Sequence, residues 1–248
     1  MTEPVLSCRG VIHDYDETPA LLGVDLDVHE GEVVAITGPS GSGKSTLLLC
    51  LAGVIVPREG SVLLGGVDLR AVGERNRAAL RRQSVGIVFQ YGTLVPELTG
   101  EENVALPLLL SGRPRAEALK TASQWLERLG VESVARTTAS RMSGGQRQRV
   151  ALARALVATP RVVLGDEPTG ALDSVASDLV AGELVSAARN AGAAVVLVTH
   201  DARVAAFADR EVHLWDGRVD DTDPSIAEGD DGPFIPSIGA AADQQVLQ

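Results

Sequence analysis

Residues 33–46 read Val33-Val34-Ala35-Ile36-Thr37-Gly38-Pro39-Ser40-Gly41-Ser42-Gly43-Lys44-Ser45-Thr46, and this stretch decides the fold. An apolar run of strand length enters a loop that fits G-x-x-x-x-G-K-[ST], and a helical pattern follows. Glycines let successive backbone N–H groups curl around phosphate oxygens. The helix N-terminus adds its positive end. In such a loop Lys44 reaches the β- and γ-phosphates, and the Ser45 hydroxyl suits Mg²⁺. A glycine-rich turn without a ligand is the competing reading, and the strand–loop–helix context weighs against it.

Outward from this loop, further short apolar runs at 85–89, 161–165, 194–199 and 211–215 predict strands. Most are rich in Val, Ile and Leu without strict alternation, the pattern of a sheet covered on both faces. Helical patterns lie between them. They are expected at 45–52, at 117–129 with Leu119, Ala122, Leu126 and Leu129 on one face, at 144–158 before Pro160, and at 174–190 near Gly192. Alternating strands and helices predict an α/β core. Val24, Leu26 and Val28 alternate with Asp25, Asp27 and His29, which predicts a half-exposed strand. Residues 61–64 followed by Gly65-Gly66 predict a hairpin. A small antiparallel sheet is therefore expected beside the parallel core. There is no internal repeat.

The chain has 248 residues, 45% apolar and 22% charged, an ordinary globular mix. Its two cysteines, Cys8 and Cys50, are too few for a disulfide scaffold and read as buried thiols. No apolar stretch, Val104 to Leu110 included, has the length of a bilayer span. The start MTEPVLSCRG lacks the basic and apolar regions of a signal peptide, so a cytosolic site of action is expected. Net charge is −11, which argues against a nucleic-acid partner. The charge is uneven: Asp220, Asp221, Asp223, Glu228, Asp230, Asp231 and Asp243 close the chain without a Lys or Arg. Residues 220–248 are therefore expected to form an acidic disordered tail.

Other motifs carry chemistry. Val162-Val163-Leu164-Gly165 delivers Asp166-Glu167, one acid suited to Mg²⁺ and one to polarising a water. Ser143-Gly144-Gly145-Gln146 has capping-box spacing at a helix start that its glycines leave open to an anion. Gln90 ends one predicted strand and His200 follows another. In this order, with MSGGQRQRVALARAL and VVLGDEPTGALDS, the sequence resembles the nucleotide-binding subunits of ABC transporters over about residues 5–219.

That resemblance implies a RecA-like P-loop core, a flanking antiparallel β-subdomain and an α-helical signature subdomain at about 92–158, together spanning 1–219. It implies ATP hydrolysis with Mg²⁺, and two cassettes closing around two nucleotides. Gly38, Ser40, Gly41, Ser42, Gly43, Lys44, Ser45 and Thr46 would hold nucleotide. Tyr15 would stack on adenine. Ser143, Gly144, Gly145 and Gln146 would reach the nucleotide of the opposite cassette. Asp166, Ser45 and Gln90 would serve the metal. Glu167 would be the general base, assisted by His200, Gln90 and Lys44, and Asp173 would communicate across the dimer. Two departures stand out: Met142 replaces the usual Leu, with little expected effect, and Gly165 replaces a bulkier residue, which is expected to loosen packing. VFQYGTLVPELTGEENVALPLLLSG is similar to the MacB, LolD and FtsE group, whose members pair with FtsX-like permeases. The chain would then sit at the cytoplasmic face of the cell membrane, with residues 91–103 receiving a permease helix. A soluble ABC-type ATPase acting on nucleic acid or ribosomes is the alternative. The transported substrate is not written in this chain.

Overall fold

The structure, a computed structural model, describes residues 3–90, 93–170 and 172–220. Tyr91 and the tail beyond Asp220 lie outside the described residues.

Two sheets organise the chain. β1 (Leu6–Tyr15), β2 (Thr18–Val28), β4 (Glu59–Leu64) and β5 (Val67–Asp68) form an antiparallel sheet in the order β2-β1-β4-β5. The second sheet holds β3 (Val33–Thr37), β6 (Val85–Phe89), β7 (Val162–Asp166), β8 (Ala194–Val198), β9 (Arg210–Trp215) and β10 (Arg218–Asp220), in the order β10-β9-β3-β8-β7-β6. All its pairs are parallel except β9–β10. The predicted α/β core and the antiparallel sheet beside it are both present.

Residue chemistry accounts for these elements. β3 and β8 are buried at every position, as runs of Val, Ile, Leu and Ala in a doubly covered sheet should be. Side chains alternate between two cores. Val34, Ile36, Leu164 and Val196 pack with the antiparallel sheet and with α1 (Lys44–Leu51). Val33, Val163, Val195 and Leu197 pack with the helices α3 (Gly100–Leu110), α4 (Arg115–Arg128), α5 (Gly144–Leu156) and α6 (Ser174–Asn190). Cys8 and Cys50 belong to the first core, and burial pushes both thiols up to about 12. In the β4–β5 hairpin Leu64 faces Val67 across Gly65 and Gly66, both at positive φ, so the turn is of the type I′ class.

Several elements were not anticipated, the short α7 (Ala202–Ala205) and β10 among them. β1 carries register shifts around Gly10 that break its alternation. α2 (Glu74–Ser84) is mostly polar; its buried member is Arg77, which donates to the Leu69 and Val72 carbonyls. α3 contains Pro107 and is apolar on more than one face, but a Thr99/Glu102 capping box starts it. The expectation for Gly165 is corrected. A Cβ there would lie 3.1 Å from Leu197 Cδ2 and 3.2 Å from Pro168 Cγ, so these side chains fill the space and packing is tight. Met142 is 4% exposed, an apolar filler as expected.

Asp209 locks the start of the central strand. Its Oδ2 accepts from the Val33 amide at 2.8 Å, and its own amide donates to the Val33 carbonyl. Oδ1 accepts from Arg189 at 2.5 Å. The Val33 amide, and then Arg189, hold the Asp209 carboxyl below its ordinary pKa. Its stabilisation is therefore present above the unfolded carboxylate range and lost as pH falls through the lower folded value. Asp209→Ala should cost about 1 kcal/mol near neutrality, chiefly by orphaning a strand amide, since the half-exposed Arg189 pair adds little. Thermal melts from pH 7 to pH 3 should show the gap to wild type closing only in acid.

Candidate active site

Three parallel strands end at one edge of the sheet. β3 runs into the P-loop, β7 ends in Asp166, and β8 is followed by Thr199 and His200. Ile36 pairs with Val198, and Val198 pairs with Asp166, so the three exits are level. Ligands of parallel α/β sheets bind outside such carboxyl ends.

The P-loop is shaped by two backbones. Gly38 has φ +137°, and a Cβ there would run into the Leu214 carbonyl of β9. Gly43 has φ +99°, and its Cβ would meet the Ala20 carbonyl of β2. No other residue fits either place. The β9–β10 turn completes the frame: the Gly217 amide donates to the Ser42 carbonyl at 3.0 Å, and the Leu22 amide donates to the Gly217 carbonyl at 2.8 Å. Sequence reading missed this brace, because backbone-to-backbone contacts leave no side-chain pattern beyond the glycine itself.

Within the loop, Lys44 Nζ donates to the carbonyls of Gly38 and Pro39, at 2.9 and 2.7 Å. Lys44, Thr46 and Ser42 are buried, and the Ser42 hydroxyl has no hydrogen-bond partner. An ammonium and an unpaired hydroxyl beside open helix amides suit a polyanion. Ser40, Gly41 and Ser45 are exposed. Ser45 Oγ donates to Asp166 Oδ1 at 3.0 Å. Burial raises the Asp166 pKa, opposed by the Ser45 hydrogen bond and the nearby Lys44. Asp166 forms no ion pair among the described residues.

Glu167 stands next to it in the left-handed region, φ +46°. Its amide donates to the Val198 carbonyl, and its Oε1 lies 2.6 Å from His200 Nδ1. An ionised carboxylate only accepts, so Nδ1 carries the proton in this pair. The Glu167 side chain is mostly buried, while His200 is 70% exposed. A shielded carboxylate touching an imidazole open to solvent can orient and deprotonate a water. Gln90 lies against Gly170, where an added Cβ would sit 2.7 Å from Gln90 Nε2.

The remaining residues stand apart from this group. Ser143 and Gln146 cap α5 reciprocally, the Gln146 amide donating to Ser143 Oγ and Gln146 Oε1 accepting from the Ser143 amide. Gly144 faces Leu172, and Gly145 is open. No hydrogen bond among the described residues joins this turn to the P-loop of the same chain. Asp173 caps α6, accepting from the Ala176 amide at 3.0 Å. Tyr15 ends β1, half exposed and edge-to-face with His13 at 5.0 Å. A separate open cleft of about 870 Å³ lies between α4 and α6, lined by Trp125, Arg128, Glu183 and Asn190 among others, none of them a motif residue.

A P-loop, an acidic pair and a histidine on one carboxyl edge define the class: a P-loop nucleoside triphosphatase. The sequence pattern described as ABC transporter matches residues 21–170. The chain is 44% identical over 219 residues to the lipoprotein-releasing system ATP-binding protein LolD of Pseudomonas fluorescens, covering 87% of this chain and 96% of that one. Against LolD 2 of Caulobacter vibrioides the identity is 44% over 224 residues, 89% and 98% of the two chains. The dimeric ATP-binding cassette MJ0796, in a post-hydrolysis state bound to ADP and Pi, superposes with a TM-score of 0.80 at 38% identity, over 87% of this chain and 96% of that one. The chain belongs to the ABC transporter family and is an ATP-hydrolysing motor subunit of a membrane transporter. Among the described residues no helix is long and apolar enough to cross a membrane.

The loop geometry can be tested directly. Gly43→Ala combines a disfavoured φ with a clash against a strand carbonyl. ATP affinity, measured with a fluorescent ATP analogue, should fall more than tenfold, together with a lower melting temperature.

Proposed function

We propose that this subunit drives lipoprotein release, or an equivalent extracytoplasmic task, through a separately encoded FtsX-like permease at the cytoplasmic face of the membrane. The names of its LolD relatives support this reading. They also weigh against a soluble ATPase acting on nucleic acid or ribosomes. The cassette would span residues 1–219, with an acidic tail after it. The groove receiving the permease would be residues 91–103, of which Tyr91 and Gly92 lie outside the described residues. Asn103 shapes the rest: its Oδ1 accepts from the Val95 amide at 2.8 Å, and Nδ2 donates to the Val95, Leu98 and Thr99 carbonyls.

The geometry supports the following residue roles. Lys44 and the loop amides leading into α1, from Gly41 to Thr46, hold the nucleotide phosphates. Tyr15, held at its edge by His13, offers its ring to adenine. Mg²⁺ fits the site: Ser45 and Asp166 present two hard oxygens 3.0 Å apart, and Gln90 directly follows Phe89, which pairs with Asp166 across the sheet. When bound, the ion neutralises charge on the phosphates. Glu167 accepts a proton from the attacking water, and His200 holds the Glu167 carboxylate in place. Ser143, Gly144, Gly145 and Gln146 present a capped helix N-terminus whose own P-loop is already served. We read it as the anion site for the nucleotide of a second cassette, with Asp173 beside that contact. The observation that carries this reading is the level exit of β3, β7 and β8, with Glu167 and His200 in contact.

Two variants test it. Glu167→Gln keeps shape and loses basicity. Its phosphate release should drop by at least about a hundredfold, with ATP still bound and an ATP-dependent dimer accumulating on size exclusion. Wild-type turnover would reject Glu167 as the base. In that background, Ser143→Arg places bulk and charge on the opposed helix start and should abolish the ATP-dependent dimer. A dimer of normal yield would reject the sandwich. Copurification from gently solubilised membranes should bring down a permease in stoichiometric amount.

A further inference from the structure

Gln148 is a polar side chain on the apolar stripe of α5, in line with Ala151, Leu152 and Ala155, and it is only 3% exposed. A buried amide in a helix stripe is costly unless its donors are used. Both contacts it makes are to backbone carbonyls of other elements. Nε2 donates to the carbonyl of Pro168, the residue after Glu167, and to the carbonyl of Phe89, the residue before Gln90, at 3.4 Å. One amide thus spans the two loops that carry the reacting acid and the Gln90 side chain.

The surroundings make α5 a single strut. Six residues further on, Arg154 Nη1 donates to the Thr93 carbonyl at 3.0 Å, so the helix grips the chain on both sides of Gln90. Gly86 of β6 allows the backbone of α5 to approach, since an added Cβ would run into the Ala155 carbonyl oxygen. Arg149 pairs with Glu183 of α6 at 3.0 Å. At the other end, Ser143 begins the same helix, five residues and about 7.5 Å from Gln148 along the axis.

We propose that Gln148 is a positioning residue for hydrolysis: it ties the Ser143 end of α5 to the backbone beside Glu167 and beside Gln90, so that a shift of this helix moves both loops together. The Gln90 side chain already rests on Gly170, and the Gly170 amide donates to the Glu167 carbonyl at 3.0 Å, so the two loops are in register where Gln148 bridges them. Helix motion then reaches the reacting carboxylate through two hydrogen bonds rather than through packing alone. This inference rests on the reading of Glu167 as the base and deepens it.

Gln148→Met keeps the length and volume of the side chain and removes both donors. In the full-length chain, phosphate release at saturating MgATP should fall at least tenfold. KM for ATP should stay within twofold, and affinity for a fluorescent ATP analogue should be unchanged. A core residue with no positioning role would give a different pattern: wild-type kcat in a folded variant, or kcat and KM worsening together with the melting temperature. Either result overturns the proposal. Should Gln148→Met lose its cooperative melt, Gln148→Asn takes its place, with the same expectation. Its amide satisfies one carbonyl but is too short to span both. Glu167→Gln is measured in parallel. A silent Glu167→Gln with a normal Gln148→Met sinks only this inference, whereas an active Glu167→Gln sinks the reading of the base and this inference with it.

Discussion

The phosphate loop is a seam between two sheets, and the rest of the site depends on that constraint. Gly38 abuts the Leu214 carbonyl of the parallel sheet, and Gly43 abuts the Ala20 carbonyl of the antiparallel one. Each contact is backbone against backbone with no room for a side chain. The Gly217 amide closes the frame from the Ser42 side. Loop amides held this way are already aimed before any anion arrives, so little ordering entropy is left for binding to oppose. The seam also explains why a chain with a parallel core carries an antiparallel sheet: β2 supplies one wall of the cradle.

Against that cradle the acidic edge is electrostatically unbalanced. Asp166 is partly buried with a hydroxyl as its principal partner, and its carboxyl is raised accordingly. Glu167 adds a second acid in a left-handed conformation, a cost of order 1–3 kcal/mol that the surrounding strands must offset. Burial and strain of this kind cluster where a fold holds groups ready for chemistry. The neighbouring cation Lys44 meanwhile rests on carbonyls of its own loop. Cation and acids occupy one edge without pairing directly, which leaves both available to a substrate that carries charge of each kind.

The sequence made the parallel core legible because its strands are apolar on both faces. Strands 33–37 and 85–89 and helix 174–190 fall at their expected bounds. The motif order was equally plain, since strand, glycine loop and helix follow one another in the chain. What was hidden has physical causes. The bulged β1 breaks its own alternation, α2 buries an arginine instead of a leucine, and the apolar end of α3 carries a proline that reads as a helix breaker. The tight fit at Gly165 depends on Leu197 from another strand, which no local reading supplies. Gln148 did carry a signal, a polar residue on an apolar stripe, but its partners are carbonyls far along the chain.

The brace on the P-loop has an optical corollary. Of the two tryptophans, Trp215 immediately precedes the turn that grips Ser42 and is 55% exposed, whereas Trp125 is 6% exposed inside the helical layer. Their indoles sit in surroundings of different polarity. Rearrangement at the phosphate loop therefore perturbs the red-shifted emission, and loosening of the helical layer perturbs the blue-shifted one. The chain carries a built-in two-colour gauge that separates events at the cradle from events in the helices without any attached dye.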